Sequence, residues 1–422
     1  MKFGLTHLSI TLWLGSGFLG KSHWSLQSLD NPVWVSSWLL AAAGIGIAVL
    51  LELRDARRVT YRPGERLALL CIVLGVIAAS VMGLGSGSQI HQIMMPVSML
   101  ASIWYGLWWF PNRVARNGRL AEFPFSIFLV MALSLLVLSP AFVDVLIALD
   151  PNVRESWLYL SITDAGLIGG TAFAVASGSL LRKRLFGFRL LAFALAVLLV
   201  VFPWVRAALA GAVVVFGFML LRVASYGPRK PGTMLLQAII LVPAVVLPLT
   251  FLGGLGISGL AEKILPEDRK GGVEFREVAW EHFTTSLQED PFSLDGRGWA
   301  YKWTEVGHYT VWNDPHSTWA GFWEAGRLIT LGFFSIGLLI LLGNAFRGSA
   351  SIPGFRAVLV IVATLTSSFA ASALISATSP ADKLFWIALG LLLIESRRGN
   401  KQVSDASSAP TASSVPADGR RR

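Results

Sequence analysis

A chain of 422 residues with 54% hydrophobic and 14% charged side chains carries far less charge than the roughly 25% of a soluble domain. With a mean hydropathy of +0.62, it reads as an all-α integral membrane protein. The net charge of +10 has no soluble domain on which to form a basic stripe. Nucleic acid is therefore excluded as a partner, and the cations are left to set orientation in lipid.

The first stretch, Lys2 followed by residues 5–19, has the outline of a signal peptide. It lacks a small-residue cleavage site and reads as a first span. A span needs about 20 mostly apolar residues. By that measure about 12 transmembrane helices are expected, at 5–20, 33–53, 67–86, 90–110, 123–148, 157–181, 186–202, 204–222, 233–256, 317–343, 356–377 and 382–396. One cysteine, Cys71, lies in the third. A lone cysteine excludes an intrachain disulfide and a Cys-based metal cluster.

With the N-terminus in the cytoplasm and the spans alternating, most of the 35 Lys and Arg residues fall in inner loops or at the termini. That is the positive-inside pattern, and it puts both termini in the cytoplasm. The chain then divides into a scaffold of about nine helices at 1–256, one long outward-facing (periplasmic) loop at 257–316 before the tenth helix, C-terminal helices at 317–398, and a tail at 399–422. Ser, Ala and Pro with a terminal Arg triplet make that tail a disordered cytoplasmic end. Residues 83–88 are a glycine-rich turn without the Lys-Ser/Thr of a phosphate loop.

The candidates for chemistry gather around the long loop. Asn313-Asp314-Pro315-His316 has the pattern of a helix start, with Asp314 as cap and Pro315 as first helical residue. His316 would lie in the first turn, where the helix dipole disfavours imidazolium and leaves a neutral base; the plain reading is an interfacial histidine. Glu324 and Arg327 follow on the same helical face as His316. They form either part of a site or an ion pair that orients the helix.

Arg206 opens its span from the outer side, beyond Pro203 and Trp204. A guanidinium there suits a phosphate oxygen pair, or a carboxylate such as Asp144 or Asp164. Arg276, Trp280 and Phe283 recur at i, i+4 and i+7 within 272–287, one stripe of an amphipathic helix on the membrane surface. Arg276 is a second phosphate candidate or a solvated cation beside a packed Trp. Asp295-Gly296-Arg297-Gly298-Trp299 places Arg297 between two glycines that shape a loop. The tryptophans near the loop (Trp280, Trp299, Trp303, Trp312, Trp319, Trp323) stack on sugar rings or, more commonly, anchor helices at the interface. Metal-binding His-Glu-x-x-His and nucleophile-elbow patterns are absent from the sequence.

Taken in order, these motifs resemble the O-antigen ligase and O-antigen polymerase superfamily of membrane glycosyltransferases. The match runs over about 190–345: Arg206-Ala-Ala-Leu-Ala-Gly211 at an outer helix start, Arg276-x-x-x-Trp280, Pro291 with Gly296-x-Gly298, then His316 before a span carrying Glu324, Gly326 and Gly332. Val205 and Ser317 stand where the family often has Ser and Asn. The resemblance implies a bacterial cytoplasmic (inner) membrane enzyme acting at the outer face. Its donor is a glycan on undecaprenyl diphosphate, its acceptor a glycan or lipid core, and its surroundings membrane lipids; it implies neither metal nor other cofactor. Arg206 and Arg276 would hold the diphosphate, His316 would activate the acceptor hydroxyl, and Arg297 and Glu324 would support them. The competing expectation is a transporter or flippase of lipid-linked glycans. Twelve spans suit it, but no inverted repeat is visible.

Overall fold

The computed structural model describes residues 4–21, 31–54, 61–83, 89–138, 162–181, 186–201, 205–225, 284–290, 292–296, 298–299, 317–346, 351–369, 374 and 379–407. Among them every regular element is helical. The order is α1 Leu5–Gly20, α2 Pro32–Arg54, α3 Pro63–Met82, α4 Gln89–Ile103, α5 Phe110–Arg116, α6 Phe123–Leu138, α7 Ile162–Leu180, α8 Phe186–Val201, α9 Arg206–Ser225, α10 Thr318–Ala345, α11 Ile352–Ser368 and α12 Pro380–Ser407. A π turn at Trp104–Trp109 joins α4 to α5, and a 3-10 turn at Gly118–Glu122 leads into α6. Four helices, Pro32–Arg54, Pro63–Met82, Ile93–Arg116 and Thr318–Ala345, are long and apolar enough to cross a membrane. The expected ninth span and the loop up to residue 283 lie outside the described residues.

Local chemistry fixes the starts. Asn31 Oδ1 accepts from the amides of Val33 and Trp34 at 2.9 and 3.1 Å. Pro63 occupies the first turn of α3, and Glu65 accepts from the Arg62 amide at 2.9 Å. Ser351 caps α11 through the Gly354 amide at 3.0 Å. Each satisfies donors that a helix start leaves open. At the other end of the chain, α12 continues to Ser407, so the first part of the segment expected to be a disordered tail is helical.

Small residues set the crossings, as in other membrane bundles. Gly75 on α3 lies under α10, where a Cβ would stand 3.1 Å from Thr330 O and 3.3 Å from Phe334 N. Thr330 Oγ1 donates to Gly75 O at 3.1 Å. Gly44 on α2 brings its carbonyl to Ser9 Oγ on α1 at 2.8 Å. The π turn meets α12 at Gly106, where a Cβ would lie 2.7 Å from Ile387 N. Residues 381–393 of α12 are buried, so this helix runs through the centre of the bundle.

Charged pairs tie the helices together at one end. Glu52 pairs with Arg113 at 3.5 Å, Glu65 with Arg397, and Glu122 with Arg356. Arg397 also lies over the Tyr61 ring at 4.8 Å, and Tyr61 stacks on Trp108 at 5.3 Å. Burial pushes the Tyr61 hydroxyl well above its ordinary range, although the Arg397 charge pulls the other way. The cations that sequence reading assigns to orientation therefore also lock helices that are far apart in the chain.

Candidate functional site at the break in α10

The opposite end of the bundle carries the described loop residues, 284–299 in part, and Glu324. The starts of α9 and α10 and the end of α11 come together there. Ser367 Oγ donates to Ala207 O at 3.2 Å, the Leu374 amide donates to Thr318 Oγ1 at 3.2 Å, and Trp319 packs on Phe369 with ring centroids 5.8 Å apart. Arg206 is the first residue of α9, which puts its backbone at this end; its side chain is outside the described residues.

The first turn of α10 corrects one expectation. The cap is Ser317, in extended conformation (φ −151°, ψ 131°), with Oγ accepting from the Ala320 amide at 3.5 Å. Thr318, not Pro315, is the first helical residue. His316 therefore precedes the cap instead of occupying the first turn. Its side chain, like Arg276 and Arg297, lies outside the described residues.

Eight residues into α10 the helix breaks. Gly326 has φ −159° and ψ 31°, and Arg327 has φ 49° and ψ −149°. Arg327 is the one non-glycine residue at positive φ among the described residues, a conformation that costs about 1–3 kcal/mol and persists only where its surroundings hold it. The surroundings here are specific. Arg327 Nε donates to Asp295 Oδ1 at 2.8 Å, Nη1 lies 3.8 Å from Glu324 Oε1, and the guanidinium sits 5.6 Å from the Trp323 ring centroid. The Glu324–Arg327 pair read from the spacing is present, at the long end of an ion pair. Glu324 is fully buried and Arg327 is 7% exposed.

The break also frees backbone that the loop at 292–299 uses. The Ala325 carbonyl accepts from the Gly298 amide at 2.9 Å. Gly298 has φ 72°, which a side chain would resist. Gly296 lies against the break, where a Cβ would stand 2.7 Å from Gly326 Cα and 2.8 Å from Ala325 O. The two glycines read as loop-shaping are thus accounted for: one allows the backbone turn and the other the close approach. Beyond them Trp299 inserts its indole into α3, with Nε1 donating to Ser80 Oγ at 3.1 Å and Val76 O at 3.2 Å. Trp323 donates to Ser286 Oγ at 2.8 Å, on a short helix at 284–289. Trp299 and Trp323 are buried structural anchors, not members of an interfacial belt.

Electrostatically, the Asp295 carboxyl is held below its ordinary range, first by the hydrogen bond from Ser293 Oγ and then by Arg327. Arg327 stands between two carboxylates. Its task here is to hold the loop and the helix break in register. Sequence reading missed Asp295 as its partner. The available signal was a glycine followed by an arginine inside an apolar run. Among the described residues no three His, Cys, Asp or Glu side chains converge as a metal would need.

A second buried polar group lies among α1, α7 and α12. Lys21 pairs with Asp164 at 3.3 Å. The alternative pairing of Arg206 with Asp164 lies outside the described residues, as the Arg206 side chain does. Lys383 reaches α1, and Asp382 beside it is 1% exposed; sequence reading singled out neither. No family model matches the chain, and no curated protein is similar to it.

Proposed function

We propose that this protein is a membrane glycosyltransferase that moves or polymerises a glycan from undecaprenyl diphosphate to an acceptor hydroxyl at the outer face of a bacterial cytoplasmic membrane. The reading includes twelve spans, cytoplasmic termini and an outward-facing loop at 257–316. The observation that carries it is the junction at the break in α10. One end of the bundle brings together the start of α9 with Arg206, the glycines flanking Arg297, the residue that follows His316, and buried Glu324. These are the positions by which the chain resembles the O-antigen ligase and polymerase superfamily.

In this mechanism Arg206 and Arg276 bind the diphosphate and stabilise the negative charge that grows as it leaves. His316 takes the proton of the acceptor hydroxyl while its oxygen bonds to the anomeric carbon. The bond from that carbon to the diphosphate oxygen breaks. Loop 292–299 is pinned to the break in α10 by Asp295 on Arg327 and by the Gly298 amide on the Ala325 carbonyl. The test is transfer by purified protein in lipid vesicles. His316→Ala lowers kcat by about 10²–10⁴, and Arg206→Ala weakens donor binding. Full transfer by both variants at wild-type expression refutes the assignment.

A second reading, transport of a lipid-linked glycan, is favoured by one observation: the buried charged group among α1, α7 and α12, since ionisable residues within a bundle mark ion pathways in transporters.

A further inference from the structure

Asp382 lies in the first turn of α12, after Ser379, which accepts from the Ala381 amide through Oγ at 3.3 Å. It is 1% exposed, with Ser379 and Leu384 at 0% and Ala381 at 1% around it. Neither carboxylate oxygen has a hydrogen-bond partner among the described residues. The neighbouring cations are committed elsewhere. Lys383 Nζ donates to Ser16 Oγ at 2.6 Å and to Trp13 O at 3.0 Å, and sits 4.1 Å from the Trp13 ring centroid. Lys21 Nζ is on Asp164 at 3.3 Å. The charges that act on Asp382 are those of Lys21 from α1, Asp164 from α7 and Lys383 from α12.

An enclosed carboxylate without a hydrogen bond is costly, and buried charges are ordinarily paired or bound to a cation. The positive start of α12 offsets part of that cost but supplies no donor to the side chain. With Asp382, Ser379, Ala381 and Leu384 all at 0–1% exposure, a ligand held there is a very small one. Asp164 and Lys21, whose charges act on Asp382, are each 8% exposed and offer a route by which such a ligand would exchange.

We propose that Asp382 is the binding group of a buried site for one small monovalent cation, a proton or a sodium ion, with Asp164 and Lys21 on its route of exchange. The site shares no residue with the break in α10 and does not depend on the glycan-transfer reading. If the protein proves to be a transporter, this is where ion coupling enters; if it proves to be a transferase, the cation sets the packing of α1, α7 and α12.

The test uses the full chain, purified in lipid nanodiscs. Thermal midpoints are measured in sodium chloride and choline chloride at matched ionic strength, and infrared spectra across pH follow the carbonyl stretch of protonated carboxyls. A midpoint that climbs and saturates with sodium in the wild type, and stays flat in Asp382→Asn, assigns sodium. A protonated-carboxyl band that titrates in the wild type and is missing from Asp382→Asn, with no sodium response, assigns the proton. If Asp382→Asn does not fold, Asp382→Glu replaces it: it keeps the carboxylate and shifts the band or the sodium midpoint. Wild-type midpoints equal in both salts, together with a carboxyl region unchanged by pH or by substitution, overturn the proposal and leave Asp382 a structural residue.

Discussion

Gly296→Ala separates the docked loop from the rest of the fold. A Cβ at Gly296 would stand 2.7 Å from Gly326 Cα and 2.8 Å from Ala325 O, with Met82 Sδ at 3.1 Å. The methionine can swing aside, but the other two atoms are backbone of the break in α10. Overpacking of this kind costs about 1–3 kcal/mol. Spent on loop docking, that shifts the docked-to-open ratio by about 5- to 150-fold, since 1.4 kcal/mol is a factor of ten. The reporter is the Gly298 amide, which is bonded to Ala325 O. Its hydrogen exchange should accelerate by that factor, while exchange across the Gly106 and Ile387 crossing is unchanged. Gly332→Ala is the control, because a Cβ there meets nothing within 4 Å. A folded Gly296→Ala protein with wild-type protection at Gly298 would refute the docking argument.

Three more outcomes follow from the same geometry. Arg327→Gly and Arg327→Ala both lose the bond to Asp295, but only glycine takes φ 49° without strain; the glycine variant should melt higher, and the reverse order would remove the case for strain. Asp295 is held below its ordinary 3.8, so its hold on the loop is complete above that value and fades as pH falls through the lower folded-state value. Gly298 exchange, corrected for the intrinsic rate, should be flat from about pH 5 to 8 and rise only in stronger acid, with the acid response absent in Asp295→Asn. At the other end of the bundle, Arg397→Ala strands Glu65, which is 2% exposed, and should cost about 3–5 kcal/mol. Adding Glu65→Gln should recover much of that loss in thermal unfolding, and simple additivity would show that the pair is not coupled.

The helices were legible because their causes are local. Apolar runs, Asn31, Pro63 and Ser351 mark their starts within a few residues of where the structure has them. Three features were not legible, for physical reasons. The break at Gly326 and Arg327 sits in a run that reads as continuous helix, and its partners, Asp295 and the Gly298 amide, come from a loop about 30 residues earlier. The start of α10 was assigned to Pro315, but the serine after His316 makes the cap. The buried polar contacts join residues too distant for any spacing argument: the ion pair of Arg397 and Glu65 spans 332 positions, and the hydrogen bond of Lys383 to Ser16 spans 367. In lipid such pairs are matched by the packing of helices, not by the pattern along one of them.

Glycan transfer from a lipid diphosphate, with His316 as base, is the proposed function. Its most direct test is mass spectrometry of lipid-linked glycans in host cells lacking this protein, complemented with wild type or His316→Ala at matched expression. Glycans should accumulate on the lipid at the outer leaflet, and only wild type should clear them. Accumulation of single repeat units would point to a polymerase, and accumulation of long chains to a ligase. An unchanged lipid-linked pool, or units trapped on the inner leaflet, would contradict the account and turn it towards transport.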